Sequence, residues 1–266
     1  MTGTDTGTRP ALRDEQQLRD LAAAGAAALH AELDAEGRVP AEGEASTEEA
    51  IRWVAENFDL RSVTVACSMA DAVLPALVAE QLPGVDVLFL ETGYHFAETI
   101  AERNEVARAL DVNIVDVTPR LTVAEQDEKH GKDLFARDPG LCCAIRKVAP
   151  LKKSLEGYEV WFTGVRRDES WTRTNAPMVT FDETHKLVKV NPMVRWSLDD
   201  LVEWSQDHGV PTNPLMAEGY LSIGCAPCTR PTAPGEDPRA GRWAGFAKTE
   251  CGLHPGTSSA PTPTEA

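Results

Sequence analysis

The strongest constraint on folding is an alternation that runs from residue 62 to residue 165. SVTVACS (62–68), VDVLFLET (85–92), VNIVDVTP (112–119) and VWFTGV (160–165) are short apolar runs of strand type. Helix-forming stretches follow or precede them, among them ADAVLPALVAEQL, ETIAERNEVARALD and CCAIRKVAPLKKSL. Strands this apolar must be covered on both faces, which calls for a mostly parallel sheet between helices, an α/β fold. Such sheets bind ligands outside the carboxyl ends of their strands. The loops that leave these four runs are therefore the places to look for function.

The flanks read more simply. Residues 1–15 are polar and rich in Gly and Thr, and are expected to be disordered. LRDLAAAGAAALHAELDAEG (18–37) is a strong helix former, and PAEGEAS (40–46) a linker. STEEAIRWVAENF (46–58) opens with a capping signal, Ser46 or Thr47 followed by Glu49, and carries Ile51, Val54, Ala55 and Phe58 at helical spacing. VTFD and KLVKVNP (179–182 and 186–192) read as a hairpin, and SLDDLVEWSQDHG (197–209) as a capped helix ending at Gly209. Beyond 210 Pro and Gly dominate, so loops are expected, with a disordered tail from 255.

The length of 266 residues suits one domain or two small ones. A formal charge of -16 argues against a nucleic-acid partner, so an anionic ligand must be held by a few local cations. The first residues, MTGTDTGTRPALRDEQ, carry no apolar signal-peptide core, and no run approaches the ~20 apolar residues of a membrane span. The expectation is a soluble cytoplasmic protein whose thiols stay reduced. Six cysteines in that setting point to metal binding or catalysis rather than disulfides.

Cys142 and Cys143 are adjacent, and Cys225 and Cys228 form the C-x-x-C of CAPC. Four thiolates can hold a tetrahedral zinc or an iron–sulfur cluster. Neighbouring residues aim poorly at one ion but can reach different corners of a larger group, which favours a four-iron, four-sulfur cluster. The plainer reading has CC buried in a helix and CAPC as a turn or redox dithiol. The Gly/Pro loop around CAPC offers no pattern to bury it. Lys147 follows Cys143 by four residues, on one face if the stretch is helical; spacing alone makes it a solvated lysine. Cys251, in KTECGLH, is either an incidental tail cysteine or a reactive one. Lys248, His254, Arg239 and Arg242 are near it in sequence and would favour its thiolate.

Two strand-end loops are candidate anion sites. CSMAD (67–71) is a strand-to-helix junction whose backbone N–H groups could hold an anion, although Asp71 could serve only as a cap. Cys67 there reads as a small buried hydrophobe. FTGVRRDES (162–170) leaves the fourth run with Gly164 and two arginines, and Arg173 follows. Arginine suits bidentate contact with phosphate or sulfate.

LFLETGYHF, CCAIRKVAPL, TGVRRD, SIGCAPCTRP, DPRAGRW and KTECGLH together resemble the assimilatory adenylyl-sulfate (APS) reductases of the sulfonucleotide reductase family, over residues 50 to 254. The resemblance implies a fold like that of the PP-loop adenine-nucleotide α-hydrolases. It also implies one [4Fe–4S] cluster on Cys142, Cys143, Cys225 and Cys228. Cys251 matches the family's nucleophile: its thiolate attacks the sulfur of APS, AMP leaves, and thioredoxin releases sulfite from the resulting S-sulfonate. Lys147, Arg173, Arg239, Arg242 and His254 match the groups around the phosphosulfate. Leu90 and Gly164 match backbone contacts to the adenosine, with Thr92 alongside. Ser68 and Asp71 match the first strand-end loop. That loop is Ser-Gly-Ala-Glu-Asp in many members, whereas CSMAD is a residue shorter and lacks the glycine.

The implied organisation is an N-terminal extension (1–45), a nucleotide- and cluster-binding α/β domain (46–230), a mobile catalytic segment (231–254) and a tail (255–266). Long members of the family carry a fused thioredoxin-like domain; here the reductant is expected in trans. Three other readings stand beside this one. The substrate could be 3′-phospho-APS (PAPS), whose reductases usually lack the four-cysteine set. The chain could be a non-enzymatic iron–sulfur or zinc nucleotide-binding protein. It could also be a PP-loop ATP pyrophosphatase with a structural zinc, against which the missing glycine-rich loop counts.

Overall fold

The computed structural model describes residues 11–39, 42–246, 248 and 252–253. The expectations for the tail from 255, for Cys251 and His254, and for residues 1–10 lie outside the described residues. Residues 11–14 are not disordered. Arg13 donates from its backbone N to Glu159 Oε1 at 2.6 Å, and its guanidinium lies 5.0 Å from the Phe58 ring centre. Helix α1 (Glu15–Ala28) starts there with a capping box, Asp14 with Gln17. It ends nine residues before the stretch of high helix propensity does. Leu29 and Ala31 turn into the core, with His30 between them at φ 50. Burial of two apolar side chains outweighs the few tenths of a kcal/mol per residue that propensity offers.

Helix α2 (Thr47–Asn57) settles its cap as Ser46, whose side chain accepts from Glu49 N while Glu49 reaches back to Ser46 N. Strand β1 (Val63–Cys67) follows, then α3 (Val73–Gln81), β2 (Val85–Leu90), α4 (Ala97–Ala109) and β3 (Val112–Val117). Helix α3 is apolar almost all round because it is buried, from Val73 through Val78. Its Pro75 falls in the first turn, where no N–H bond is lost. The stretch 120–138 carries no strand or helix expectation from its sequence. It contains α5 (Val123–His130), with its own capping box from Thr122 and Glu125, and the short α6 (Leu134–Arg137).

The stretch expected as one helix from Cys142 is broken into three: α7 (Pro139–Cys143), a π-helical turn (Ala144–Val148) and α8 (Ala149–Leu155). Strand β4 (Val160–Thr163), the hairpin β5 (Val179–Asp182) and β6 (Leu187–Val190), and α9 (Leu198–His208) complete the regular elements. The C-cap of α9 is Gly209 in the left-handed region, φ 61.

The six strands lie in the order β3-β2-β1-β4-β6-β5, all parallel except the β5–β6 hairpin. The chain winds outward from β1 through β2 to β3, then returns to place β4 on the other side of β1. The β1/β4 border is thus a topological switch point, where the two connections part and leave a crevice. The main core lies on the face of the sheet covered by α2, α3 and α9. A smaller one on the opposite face is built on Leu88, Leu151, Leu155 and the fully buried Trp161.

Candidate active site

A cavity of about 210 Å³ opens at that switch point. Its walls come from the residues after β1 (Cys67, Ser68, Asp71), the end of β2 (Leu90), the loop after β4 (Gly164, Arg166, Glu169, Arg173), the π turn (Lys147) and the far segment 221–242 (Ser222, Gly224, Arg239, Arg242). Eight of the ten predicted substrate residues therefore meet in one place: Ser68, Asp71, Leu90, Lys147, Gly164, Arg173, Arg239 and Arg242. Five cations line the cavity against two carboxylates, Asp71 and Glu169. In a chain of formal charge -16 this is a local reversal of sign, the condition a small anion needs.

The β1 loop shows how the missing glycine is managed. Met69 takes the left-handed conformation (φ 57) that a glycine adopts without strain, and its side chain is fully buried. Asn213 holds the loop from outside: its N donates to Ala70 O and its Nδ2 to Met69 O, both at 3.1 Å. Asp71 Oδ1 accepts from Val73 N at 3.0 Å, so the carboxylate does help start α3. Burial pushes its pKa up. Cys67 donates to Asp71 O, and burial, with the Asp71 charge adding to it, pushes its thiol up to about 12. That thiol lines the cavity yet stays protonated.

The two arginines after β4 divide. Arg167 turns away and grips Glu44 through both terminal nitrogens, at 2.6 and 2.7 Å. Arg166 enters the cavity wall, 3.1 Å from Asp168. Arg173 is buried and paired with Glu169. Arg239 and Arg242 both donate to Ser222 Oγ, at 3.3 and 3.2 Å. Gly224 makes room for the second of them, since a Cβ there would stand 2.5 Å from Arg242 Cζ. Sequence reasoning missed Glu169, Ser222 and His95. None carries a motif of its own, and only the meeting of distant loops brings them to the cavity.

Thr92 does not line the cavity. It is fully buried behind it, with Oγ1 3.3 Å from Cys225 Sγ. This belongs to a second, small cavity of about 10 Å³, lined by all four of Cys142, Cys143, Cys225 and Cys228 with Tyr94, Phe135, Arg146 and Trp243. Burial and then the neighbouring cysteines push the Cys142 and Cys228 thiols up to about 11. Among the described residues no group of three or more His, Cys, Asp or Glu is arranged to hold a metal ion. The donor set itself, four soft sulfurs converging from helix α7 and the CAPC turn with cations behind them, fits a thiolate-ligated centre. Arg146 braces one side: it donates to Thr92 O and, at 3.2 Å, to Gln126 Oε1. Trp243 braces the other, donating from its N to Cys228 O at 2.9 Å.

Lys147 lines both cavities. Spacing made it a solvated lysine; it is buried, because the π turn carries it inward beside Arg146. Cys251 and His254 lie outside the described residues. Leu253, which is described, lines the larger cavity and packs on the smaller core.

Residues 62–231 match the phosphoadenosine phosphosulfate reductase domain. A protein of Mycolicibacterium smegmatis described as adenosine 5′-phosphosulfate reductase is 52% identical over 254 residues, covering 96% of this chain and 99% of its own length. One of Streptomyces coelicolor with the same description is 56% identical over 211 residues, 79% and 89% of the two chains. The crystal structure of phosphoadenylyl-sulfate (PAPS) reductase from Candida auris superposes with a TM-score of 0.59 at 24% identity, over 70% of this chain and 90% of that one. It supports the fold alone. With a domain match over most of its length and relatives at half identity end to end, the chain belongs to the adenosine 5′-phosphosulfate reductases of the phosphoadenosine phosphosulfate reductase family.

Proposed function

We propose that this enzyme reduces adenosine 5′-phosphosulfate to sulfite and AMP in sulfate assimilation, through an S-sulfonate on Cys251. The observation that carries the reading is the cationic cavity at the switch point, with Leu253, two residues after Cys251, in its wall. Lys147, Arg173, Arg239 and Arg242, with His254, would hold the phosphosulfate. Ser68, Asp71, Leu90 and Gly164 would line the nucleoside side, with Thr92 behind. Cations there offset the repulsion between an anionic nucleophile and an anionic substrate.

The Cys251 thiolate attacks the sulfonyl sulfur, an S–S bond forms, and the S–O bond to the phosphate breaks. AMP leaves with that electron pair. A dithiol protein such as thioredoxin then attacks Cys251 Sγ and sulfite departs with the S–S pair. Its second thiol resolves the mixed disulfide, so the two electrons that reduce the sulfur come from the dithiol. Cys142, Cys143, Cys225 and Cys228 would hold a [4Fe–4S] cluster, which when bound supplies structure and a local field next to Lys147. The body that binds nucleotide and cluster would be residues 46–230, and the segment 231–254 would bring Cys251 to it. Among the described residues no helix is long and apolar enough to cross a membrane.

Anaerobic intact-mass analysis after adding APS without thiol tests the reading. The expected outcome is the gain of one sulfonate, mapped to Cys251, absent in Cys251→Ser, and removed by thioredoxin with release of sulfite. An adduct with PAPS but not APS would change the substrate. No adduct with either, on protein with iron and sulfide bound, would overturn the enzyme assignment.

A further inference from the structure

We propose that Ser222 is a positioning residue for the reaction, a neutral tether that aims Arg239 and Arg242 into the larger cavity without offsetting their charge. Ser222 lines that cavity, and its Oγ accepts from Arg239 Nη1 at 3.3 Å and from Arg242 Nη1 at 3.2 Å. Arg242 also donates to Ile223 O at 3.2 Å and lies over the Trp243 ring, 4.7 Å from its centre. These partners of Arg242 are all neutral, and its Nε is buried with no hydrogen-bond partner among the described residues. The two cavity arginines after β4 are held in the opposite way. Arg173 is paired with Glu169, and Arg166 lies 3.1 Å from Asp168, so a carboxylate offsets the charge of each.

Two guanidinium groups that share one oxygen repel each other. A carboxylate in place of that hydroxyl would hold both more firmly, because an arginine–carboxylate contact is stronger than one to a neutral acceptor. It would also cancel the positive potential that an anionic ligand needs. A hydroxyl forgoes the firmer grip and leaves the charge to the ligand. The path of the chain does not depend on this tether. Arg230 N donates to Gly241 O at 3.0 Å, and Trp243 N to Cys228 O at 2.9 Å, so the backbone on both sides of Arg242 is pinned independently. A change at Ser222 therefore acts on the aim and the field of the arginines. The proposal rests on the cavity being the phosphosulfate site.

The test is calorimetric binding of AMP to the full chain with iron and sulfide bound, with adenosine as the control that lacks the phosphate. Ser222→Asn and Ser222→Asp are nearly equal in size and both present an accepting oxygen, so they differ in one charge. Ser222→Asn should lower AMP affinity by no more than about threefold. Ser222→Asp should bind AMP about a hundredfold more weakly than Ser222→Asn, the factor by which like charges about 6 Å apart repel near a protein surface. Adenosine should bind the two variants alike. Ser222→Ala, which drops the tether, should lose about tenfold in AMP affinity and in kcat/KM for APS, and Ser222→Thr, which keeps a hydroxyl, should recover both. Equal AMP affinity in the Asn and Asp variants would overturn the proposal and leave the nucleotide site in place. So would an equal fall for adenosine and AMP in Ser222→Asp, or parent-like binding by Ser222→Ala. No AMP binding by the parent would overturn both this proposal and the reading of the site.

Discussion

The two cavities share one lysine and little else. The larger is framed by the ends of three strands, the π turn and the segment 221–242, holds about 210 Å³, and is lined by Lys147 and by four arginines that already have partners. The smaller holds about 10 Å³ and is walled by thiols and aromatic rings. A site that must admit and release a ligand cannot be packed tightly, and its charges must be oriented beforehand by protein groups such as Glu169 and Ser222. A site that holds a group permanently can be packed to the density of a core. Lys147 belongs to both, so the comparison teaches where the two are coupled.

Removing that lysine is the sharpest way to break the comparison. Lys147→Ala is expected to lower kcat/KM by two to three orders of magnitude, as losing one oriented donor in a buried site does. On protein that carries the proposed cluster, the visible spectrum should shift at the same time. Unchanged kinetics with a shifted spectrum would confine Lys147 to the smaller cavity.

Glu102 sharpens the other side. It is buried, and burial, with Asp71 and Glu105 adding to it, pushes its pKa from 4.5 up to about 7. The unfolded chain releases this proton near pH 4.5 and the folded chain keeps it to about 7. Between those values the unfolded state binds fewer protons, so this group's contribution to stability falls as pH rises, and is level above that. The cost at pH 8 is about 3 kcal/mol. Part of that cost, about 1 kcal/mol, is already present at pH 5, so denaturant unfolding at pH 5 and pH 8 should show the parent losing about 2.5 kcal/mol more than Glu102→Gln. Parallel losses would mean Glu102 ionises normally.

The smallest effect probes the rim. Gly224→Ala puts a methyl group against the Arg242 guanidinium and should lower kcat/KM about tenfold, by moving the arginine off Ser222. Circular dichroism and the visible spectrum should stay as in the parent, because Gly224 carries no role in the sheet. A loss of the spectrum instead would mean that the neighbouring Cys225 moves with it.

Much of this was legible in the sequence for a definite reason. The strands β1 to β4 are apolar runs bounded by turn residues, and burial on both faces writes that pattern directly. Ser46, Ser197 and Gly209 announced their helix ends by chemistry that acts within three residues. What stayed illegible depends on contacts between distant segments. The end of α1 is set by Leu29 and Ala31 reaching the core, against local propensity. The π turn, and with it the burial of Lys147, has no marker in AIRKV. Met69 holds a glycine's conformation only because Asn213, well over a hundred residues later, straps its loop. Strand-end position picked out Asp71, Gly164 and Arg173, but only whole-motif resemblance gathered the eight substrate candidates into one site; spacing alone could not have joined Ser68 to Arg242.

The two cysteine pairs, one in α7 and one in the CAPC turn, lie about eighty residues apart, and that separation has a consequence for the life of the chain. In an unfolded polypeptide Cys142 and Cys143 have no reason to meet CAPC. A centre that all four thiols hold acts as a cross-link present only after folding, so its binding energy is added to the stability of the native state alone. If that centre is the proposed iron–sulfur cluster, scarce iron or oxidative damage would act first on how much of this protein survives proteolysis, and only secondarily on how fast each surviving molecule turns over.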